Sequence, residues 1–584
     1  MIGMFALLLT VAAGCAPVGE SAAVPPISPS GEIDGGAGEP SDAEPEPIDP
    51  VSLIKSESGA ARFLARATFG GSKDAISALT GTDAADWVAT ELAKPYTLTL
   101  PILDAQPKYP SGNPEDARVD ELYWDQIVGF DDQLRQRMVF ALSQILVYSD
   151  EVNPNQFQRA VYQDILIRNA FGNYRDLLEE VTYSLPMGEW LTYLNNRKGD
   201  PNRQRMPDEN YAREILQLFS IGLVELNLDG TPKLDGEGRT IETYADDDLQ
   251  GLARVFTGLS WAGGKFGGLR PTDAALQPMQ MYDEQHSDLE KSFLGTTIPA
   301  GTPGDESIDL ALDAIFEHPN VAPFVSRQLI QRFTQSNPSP QYVERVSSAF
   351  NDGRYVAEGG QEFGTGVRGD LSATIAAVLL DEDTFMDMTG ASDIARGKVR
   401  EPILRFTNWA RAFSVSNIDA SNEKALRYTS SLETALGQQA FKSDSVFNFY
   451  RPGYVPRGTI AGDLSMTIPE FQIVNEGSTI GYMNFMLNFV FDFQAHRTAG
   501  YQTYTPDYSE EHALAEDPAA LVDHLDVLLT GGRMSEQERL EIMIILDSIE
   551  IHATNPDHAE ADRDTRVKTA IALIVNSPSY ILTW

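Results

Sequence analysis

The chain has 584 residues and carries 85 acidic against 44 basic residues, so its formal net charge at pH 7 is −41. No basic stripe is present to release counterions from phosphates, which argues against binding to nucleic acid or to anionic lipid headgroups. Cys15 is the single cysteine, which excludes an intramolecular disulfide, a four-cysteine zinc site and a cysteine redox pair.

The N-terminal segment carries the pattern of an export signal. Residues 2–13 form an apolar run of signal-peptide length that is too short to span a bilayer permanently. Small residues stand directly before Cys15, as in a lipobox, although neither Lys nor Arg precedes the run. We expect residues 1–14 to be a lipoprotein signal peptide and Cys15 to be lipidated; an ordinary signal peptide is the alternative. Ala16 stands where inner-membrane retention uses aspartate, which favours an outer-membrane or periplasmic lipoprotein.

The next segment is acidic and rich in proline. Residues 16–50 contain eight prolines and eight acidic residues but neither Lys nor Arg. Such a composition buries too little apolar surface to fold, and the like charges keep the chain extended. We therefore expect residues 15–50 to be a disordered stalk that holds a domain of residues 51–584 away from the membrane.

From residue 51 onward, apolar residues at helical spacing predict a mainly α, multi-helix domain, either as one body or as two lobes. Ser72 and Ser339 are predicted N-caps, and Pro340 suits the first turn of its helix. The predicted helices cover residues 60–69, 72–79, 131–149, 174–183, 207–223, 246–257, 307–316, 323–333, 340–350, 371–380, 402–413, 468–489, 519–529, 535–548 and 563–575. Two Asp-Gly turns predict one small hairpin at residues 225–240.

The most distinctive block of the sequence is PDENYAREILQLFSIG at residues 207–222. Other motifs of the chain are RMVFALS at 137–143, ARVFTG at 253–258, His286 with Lys291, the run 324–333, KVREP at 398–402 and NSPSY at 576–580. Together they resemble the DUF1800 family of exported bacterial proteins, over nearly all of the chain after the stalk. The resemblance implies a helical, secreted domain, often encoded beside a sulfatase-like partner protein. It implies no reaction, because the family is named for its unknown function.

The same block contains polar residues at helical spacing. Glu209 and Arg213 are four residues apart, as are Asn210 and Glu214, so each pair shares a helix face. Two carboxylates beside a guanidinium and an amide can hold a metal or act as acid and base when burial separates their pKa values. The alternative is a structural helix whose ion pairs hold the neighbouring helices in place.

His286 lies in a polar loop between Asp283 and Asp288. A histidine among carboxylates is protonated more readily and can join them around a divalent cation; an exposed loop histidine is the alternative. Lys291 can pair with an anionic substrate or with Asp288. The candidate metal ligands are therefore Glu209, Glu214 and His286, and the catalytic candidates are Glu209, Asn210, Arg213, Glu214, His286 and Lys291.

Four arginines stand in otherwise apolar helices: Arg135, Arg137, Arg327 and Arg332. Arginines that face inward need acidic partners, because an unpaired buried charge is very unfavourable. The carboxylates expected to serve are Glu209, Glu214 and Asp248. The resulting network forms either an internal support of the fold or the floor of a site.

Two functions fit these observations. The first is a lipid-tethered envelope scaffold or binding module, without enzymatic activity, that works with an exported partner. The second is an extracytoplasmic hydrolase that uses Glu209, Glu214 and His286. The sequence requires no cofactor and allows a divalent cation.

Overall fold

Helices make up most of the structure, a computed structural model. It describes residues 52–105, 118–151, 154–271, 273–385, 396–417, 429–491, 504–552 and 555–583. The predicted signal peptide, Cys15 and the stalk lie outside the described residues. By its internal contacts, the chain from Val51 onward forms one unit.

The helices up to the middle of the chain are α1 (Glu57–Ala67), α2 (Lys73–Leu79), α3 (Ala84–Ala93), α4 (Thr99–Ala105), α5 (Arg118–Gly129), α6 (Gln133–Ser143), α7 (Gln156–Asn169), α8 (Tyr174–Tyr183), α9 (Leu185–Trp190), α10 (Asn210–Glu214), α11 (Asp246–Val255), α12 (Gly304–Phe316) and α13 (Val321–Phe333). The later ones are α14 (Pro340–Asp352), α15 (Leu371–Leu380), α16 (Glu382–Phe385), α17 (Pro402–Ala412), α18 (Ile460–Asp463), α19 (Glu476–Val490), α20 (Ser509–Leu514), α21 (Pro518–Leu525), α22 (Glu536–Asp547), α23 (Pro556–Val575) and α24 (Pro578–Ile581). Two of them continue as π-helical segments: α10 into Ile215–Ser220 and α21 into Asp526–Thr530.

Local sequence signals predicted where several helices begin. Both predicted N-caps are confirmed, because Ser72 Oγ accepts from the Ala75 amide and Ser339 Oγ accepts from the Tyr342 amide. The prediction of one helix at residues 468–489 is wrong. The chain first forms a short 3₁₀ turn, and α19 starts after it at a new cap, Asn475.

The described strands are short and form two-stranded antiparallel pairs. They are β1 (Leu259–Ser260) with β2 (Gln280–Met281), β3 (Lys291–Phe293) with β4 (Thr296–Ile298), β5 (Arg354–Val356) with β6 (Glu362–Gly364), β7 (Lys398–Val399) with β10 (Leu582–Thr583), and β8 (Ser416–Asn417) with β9 (Tyr504–Thr505). The region 225–240, where one small hairpin was predicted, forms tight turns closed by isolated bridges such as Leu234 with Thr240, and it contains no continuous strand. The mainly α fold is thus confirmed.

One hydrophobic core joins the two ends of the described chain. Its buried residues run from Ile54 to Tyr580 and include Trp124 and Trp409, whose rings both lie against Phe406. These two tryptophans therefore serve packing. None of the described helices combines the length and the apolar character needed to cross a bilayer.

Candidate functional site

The polar residues at the start of α10 make local contacts at the surface. Arg213 Nη2 lies 3.7 Å from Glu209 Oε2, and both side chains are about 40% exposed. Asn210 Nδ2 donates to the carbonyl of Leu191 at 3.3 Å. Exposed ion pairs of this kind contribute at most about 1 kcal/mol to folding.

Glu214 differs from these neighbours because its side chain is buried. The residue is 7% exposed, and its Oε2 atom has no hydrogen-bond partner among the described residues. Burial raises the pKa of this carboxyl, while Arg213 opposes the shift. Glu214 also stands where α10 passes into the π-helical segment, a feature that often occurs at functional positions.

His286 is buried and connects two helices. Its Nδ1 lies 2.8 Å from the carbonyl of Thr257, just beyond α11, and its Nε2 lies 3.3 Å from Ser307 Oγ in α12. Burial lowers its pKa, although the Thr257 contact and nearby aspartates oppose the shift. The expectation that this histidine is readily protonated is therefore wrong, and so is the alternative of an exposed loop residue.

Lys291 is also buried, in strand β3. Its Nζ has a carbonyl acceptor, that of Leu289, at 3.4 Å, and burial lowers its pKa. Asp288 forms its ion pair with Lys198 instead, at 2.7 Å. The pairing of Lys291 with Asp288 is thus replaced by a different contact, because the ammonium lies inside the fold while the carboxylate is exposed.

The predicted metal ligands do not converge in the described part of the chain. Glu209, Glu214 and His286 are not among the His, Asp or Glu groups whose ligand atoms lie within 4.8 Å of one another. The group that does meet this condition consists of Glu510, Glu511 and His524. The metal and catalytic roles given to the α10 residues and His286 therefore stay predictions without support from geometry.

The Glu510–Glu511–His524 group already holds a positive charge. Lys73 Nζ lies 3.0 Å from Glu510 Oε2 and 2.8 Å from Glu511 Oε1. His524 Nε2 lies 2.7 Å from the same Glu511 oxygen. The positive charge between these carboxylates is thus supplied by the Lys73 ammonium. The group is an ion-pair network that joins α2 to α20 and α21.

A second set of charges is fully buried in the centre of the fold, and we call it the Glu401 cluster. It consists of Glu401, Glu470, Lys398, Arg137, Arg332, Gln144 and Gln438. Lys398 Nζ lies 2.5 Å from Glu470 Oε1, and both glutamines donate to Glu401 Oε2 at 2.6 Å. Burial alone would raise the pKa of Glu401, but Lys398, Arg137 and Arg332 outweigh it and hold that pKa below its usual value.

The expected acidic partners of the inward arginines are therefore wrong. Arg137 and Arg332 face Glu401, whereas Asp248 accepts from the Leu294 amide and Glu209 pairs with Arg213. Helical spacing identified buried arginines but could not show which carboxylate lies opposite them. Arg135 Nη1 donates to the carbonyl of Ile167. Arg327 makes no ion pair among the described residues.

The Glu401 cluster leaves no room for a substrate. The cavity that reaches Gln144 and Gln438 has a volume of about 10 Å³, which is enough for about one water molecule. This fully buried set of charges, with space for about one water molecule among the described residues, supports the fold.

A groove of about 1020 Å³ opens between α7, α8 and α12. Each helix contributes one stripe at helical spacing. The stripes are Val161, Asp164, Ile165 and Arg168 from α7; Asp176, Glu179, Glu180 and Tyr183 from α8; and Asp305, Glu306, Ile308 and Asp309 from α12. Leu100, Ser184, Leu185, Leu276, Gln277 and Pro278 complete the lining. The volume lies at the upper end of the range for sites that take small molecules.

The groove lining is strongly acidic, with seven carboxylates against the single guanidinium of Arg168. Arg175, beside the groove, binds Glu179 at 2.7 Å and Asp309 at 2.5 Å and so joins α8 to α12. Asp176 and Glu306 are exposed and have no hydrogen bond or ion pair among the described residues. Negative charge therefore remains available to a ligand on two different helices.

Asp164 is the buried carboxyl of the groove. It accepts from the backbone amides of Thr99 at 2.6 Å and Leu100 at 3.2 Å, at the start of α4. Burial nevertheless raises the pKa of this carboxyl to about 6, because the two amides and Arg168 only partly offset the lost solvation. Its charge consequently changes between mildly acidic and neutral pH.

The sequence patterns did not identify the groove. The helix α8 was predicted with its observed bounds. The helix α7 was missed because it is buried on nearly every side, so its sequence does not separate into a polar and an apolar face. The acidic residues Asp176, Glu179 and Glu180 at helical spacing were a usable signal. The surface opposite these acidic residues, however, is determined by how α8 packs against α7 and α12.

Comparison with known proteins gives a family and no function. Neither a curated protein nor a solved structure matches the chain. The family model described as "Protein of unknown function (DUF1800)" matches residues 62–582, which is most of the chain and includes α10, His286, the Glu401 cluster and the groove. The chain belongs to the DUF1800 family.

Proposed function

We propose that this chain is a binding protein of the bacterial envelope, without a reaction of its own, that holds a positively charged segment of an exported partner in the acidic groove. The observation that carries the proposal is the lining of the groove, where seven carboxylates and one guanidinium surround an open space. A cleft lined by one sign of charge focuses its field and attracts ligands of the opposite sign.

A binding role agrees better with the geometry than catalysis does. Of the six catalytic candidates, Glu209 and Arg213 form a half-exposed pair, while His286 and Lys291 are buried in contacts with the backbone. An acid, a base and an open cleft do not meet at these positions among the described residues. The open groove is lined by other side chains than these six candidates.

The proposal also includes the location expected from the N-terminal sequence. Cys15 would carry the lipid, and residues 16–50 would separate the domain from the membrane. The net charge of −41 repels anionic headgroups, so attachment to a membrane would need the lipid. Mass spectrometry of the N-terminal peptide should show an acylated Cys15 in the wild type and none after Cys15→Ser. An unmodified cysteine in the mature wild-type protein would contradict this part.

The groove is tested by removing its two free charges. The groove variant is Asp176→Asn with Glu306→Gln, which are exposed residues in the first turns of α8 and α12. The control variant is Asp86→Asn with Glu57→Gln, which are exposed first-turn acids of α3 and α1 outside the groove. The two variants change the net charge equally, so a difference between them reports the site rather than the charge of the whole chain.

The probe is a fluorescently labelled oligolysine, titrated against the full chain at low salt. We expect the groove variant to bind about tenfold more weakly than the wild type, since each lost contact removes up to about 1 kcal/mol. The control variant should change binding by less than about twofold. Equal weakening in both variants would show that oligolysine binds the surface at large and would overturn the groove as the site. The sulfatase-like partner implied by the family resemblance is the first protein to test in the same way.

The hydrolase alternative retains one observation, the buried Oε2 of Glu214 without a hydrogen-bond partner. If a hydrolytic activity is found, Glu214→Gln should abolish it without changing the circular dichroism spectrum. An activity that survives Glu214→Gln would remove this alternative.

A further inference from the structure

We infer that the groove binds an amphipathic α-helix of its partner, with Lys or Arg side chains on both flanks of an apolar stripe. This inference rests on the proposed function and names the form of the ligand. It is carried by the composition of the lining, where acidic side chains of α7, α8 and α12 border the same open space as apolar side chains of α7, α9 and α12.

The lining has the geometry that a helix needs. The stripes of α7 and α8 each extend over roughly two helical turns, and that of α12 extends over about one turn. The stripe of α7, from Val161 to Arg168, is about 10 Å long at 1.5 Å per residue. A helix lying in a groove is recognised through anchors at i, i+3, i+4 and i+7, which span the same two turns. Three helix faces around one open space thus leave room for a fourth helix.

The apolar lining of the groove, which we call its floor, is partly exposed to solvent. Leu100 and Val161 are half-buried and Leu276 is 47% exposed, while Ile165, Leu185 and Ile308 are buried. Covering this surface with apolar side chains is favourable by about 25 cal/mol per Å². A flexible polycation such as a polyamine would satisfy the carboxylates but leave this floor in water, so the lining favours a ligand with an apolar face.

The free carboxylates determine where the ligand carries its charge. Asp176 belongs to α8 and Glu306 to α12, so positive side chains are required on two sides of the apolar stripe. A single divalent ion does not fit this arrangement. Among the described residues, the groove carboxylates do not form a group of three whose ligand atoms lie within 4.8 Å of one another.

The charge of the chain itself argues against two other occupants. Residues 16–50 contain eight acidic residues and neither Lys nor Arg, so the acidic groove repels this segment. A second copy carries a net charge of −41 and is repelled as well. The occupant of opposite charge is therefore a segment of a different protein.

The test compares two labelled peptides of about 14 residues, roughly four helical turns, that have the same Leu, Lys and Ala content. In the first, Leu occupies positions i, i+3, i+4 and i+7 so that a helix has one apolar stripe between lysines. In the second, the same residues are shuffled so that no stripe forms. Binding to the full chain is measured by fluorescence anisotropy, together with the groove variant, the control variant and Leu276→Ser. Leu276 is 47% exposed, so we expect its substitution to leave the fold intact.

We expect the striped peptide to bind at least about tenfold more tightly than the shuffled one. Circular dichroism of the bound striped peptide should show helix formation, and Leu276→Ser should weaken its binding about threefold while leaving the shuffled peptide unchanged. The groove variant should weaken both peptides, and the control variant should weaken neither.

The outcomes separate the inference from the proposed function. If both peptides bind equally and the groove variant weakens both, the groove is a cation site and the helical ligand is overturned. If neither peptide binds, or if the groove and control variants behave alike, the proposed function fails together with the inference.

Discussion

The Glu401 cluster and the acidic groove use charge in opposite ways. In the cluster, Glu470 lies 2.5 Å from the Lys398 ammonium, while Glu401 accepts from two glutamines at 2.6 Å and lies 3.8 Å from the same ammonium. The nearby cavity holds about one water molecule. In the groove, Asp176 and Glu306 face open space without partners among the described residues. Charges that are buried and paired define a fold, because removing one leaves the other uncompensated. Charges that are open and unpaired are available to a ligand.

The largest effect should follow from breaking the cluster. Glu401→Gln keeps an acceptor for Gln144 and Gln438 but removes the negative charge that Lys398, Arg137 and Arg332 face. We expect a loss of about 3–5 kcal/mol in the free energy of unfolding, since buried cations remain without a counter-charge. Urea unfolding followed by circular dichroism measures the loss. The groove variant is the control and should lose less than about 1 kcal/mol; equal losses would remove the contrast between the two regions.

A substitution at His286 tests whether this buried residue stabilises the fold or takes part in a reaction. His286→Ala removes the contacts to Thr257 and Ser307 and leaves a cavity between α11 and α12. We expect a loss of about 2–3 kcal/mol in stability. Groove binding at a temperature where the variant is folded should be unchanged. A variant of unchanged stability would contradict the structural role and would restore His286 as a catalytic candidate.

The two regions also differ in how far the sequence predicted them. Helix periodicity and caps such as Ser72 and Ser339 predicted the mainly α fold, because these signals are local. Gln144 and Glu401, by contrast, are 257 residues apart in the chain and 2.6 Å apart in the fold. No spacing rule relates them. The groove was missed for the same reason, since it exists only where α7, α8 and α12 pack together.

The candidate residues at α10 show a further limit of sequence patterns. The spacing of Glu209 and Arg213 correctly predicted that they share a face, and they do form an ion pair. It could not show that Glu214, one residue beyond Arg213, turns inward. Burial, which decides whether a carboxyl shifts its pKa, is a property of the packed structure.

Asp164 should give ligand binding in the groove a defined pH dependence. Its pKa of about 6 means that it is mostly neutral at pH 5 and ionised at pH 7. Binding of the striped cationic peptide should therefore strengthen about threefold to fivefold as the pH rises from 5 to 7, because one more negative charge faces the ligand. The other charged groups around the groove are Arg168, Asp176, Glu179, Glu180, Asp305, Glu306, Asp309 and, at its edge, Arg175.

The variant Asp164→Asn isolates this carboxyl. It keeps an oxygen that accepts from the Thr99 amide but cannot ionise, so the pH dependence of binding should become nearly flat. Without ligand, the stability effect has the opposite sign. The native state holds the proton more tightly than the unfolded state, so ionisation of Asp164 lowers stability as the pH rises through about 6. An unchanged pH profile of binding in Asp164→Asn would show that another group titrates.

The smallest effect should come from the exposed pair at α10. Glu209→Gln removes an ion pair whose atoms are 3.7 Å apart and whose side chains are about 40% exposed. We expect a loss of at most about 0.5 kcal/mol, because solvent and salt screen such a pair. Glu214→Gln, one helical turn further on, should instead leave stability unchanged or raise it slightly at neutral pH. Its carboxyl has a raised pKa, so the ionised form is the one that burial disfavours. Urea unfolding at pH 5 and pH 8 distinguishes the two, since the gain from Glu214→Gln should be larger at pH 8. A large loss from Glu214→Gln at both pH values would mean that this carboxylate is paired in solution and stabilises the fold, as the charges of the Glu401 cluster do.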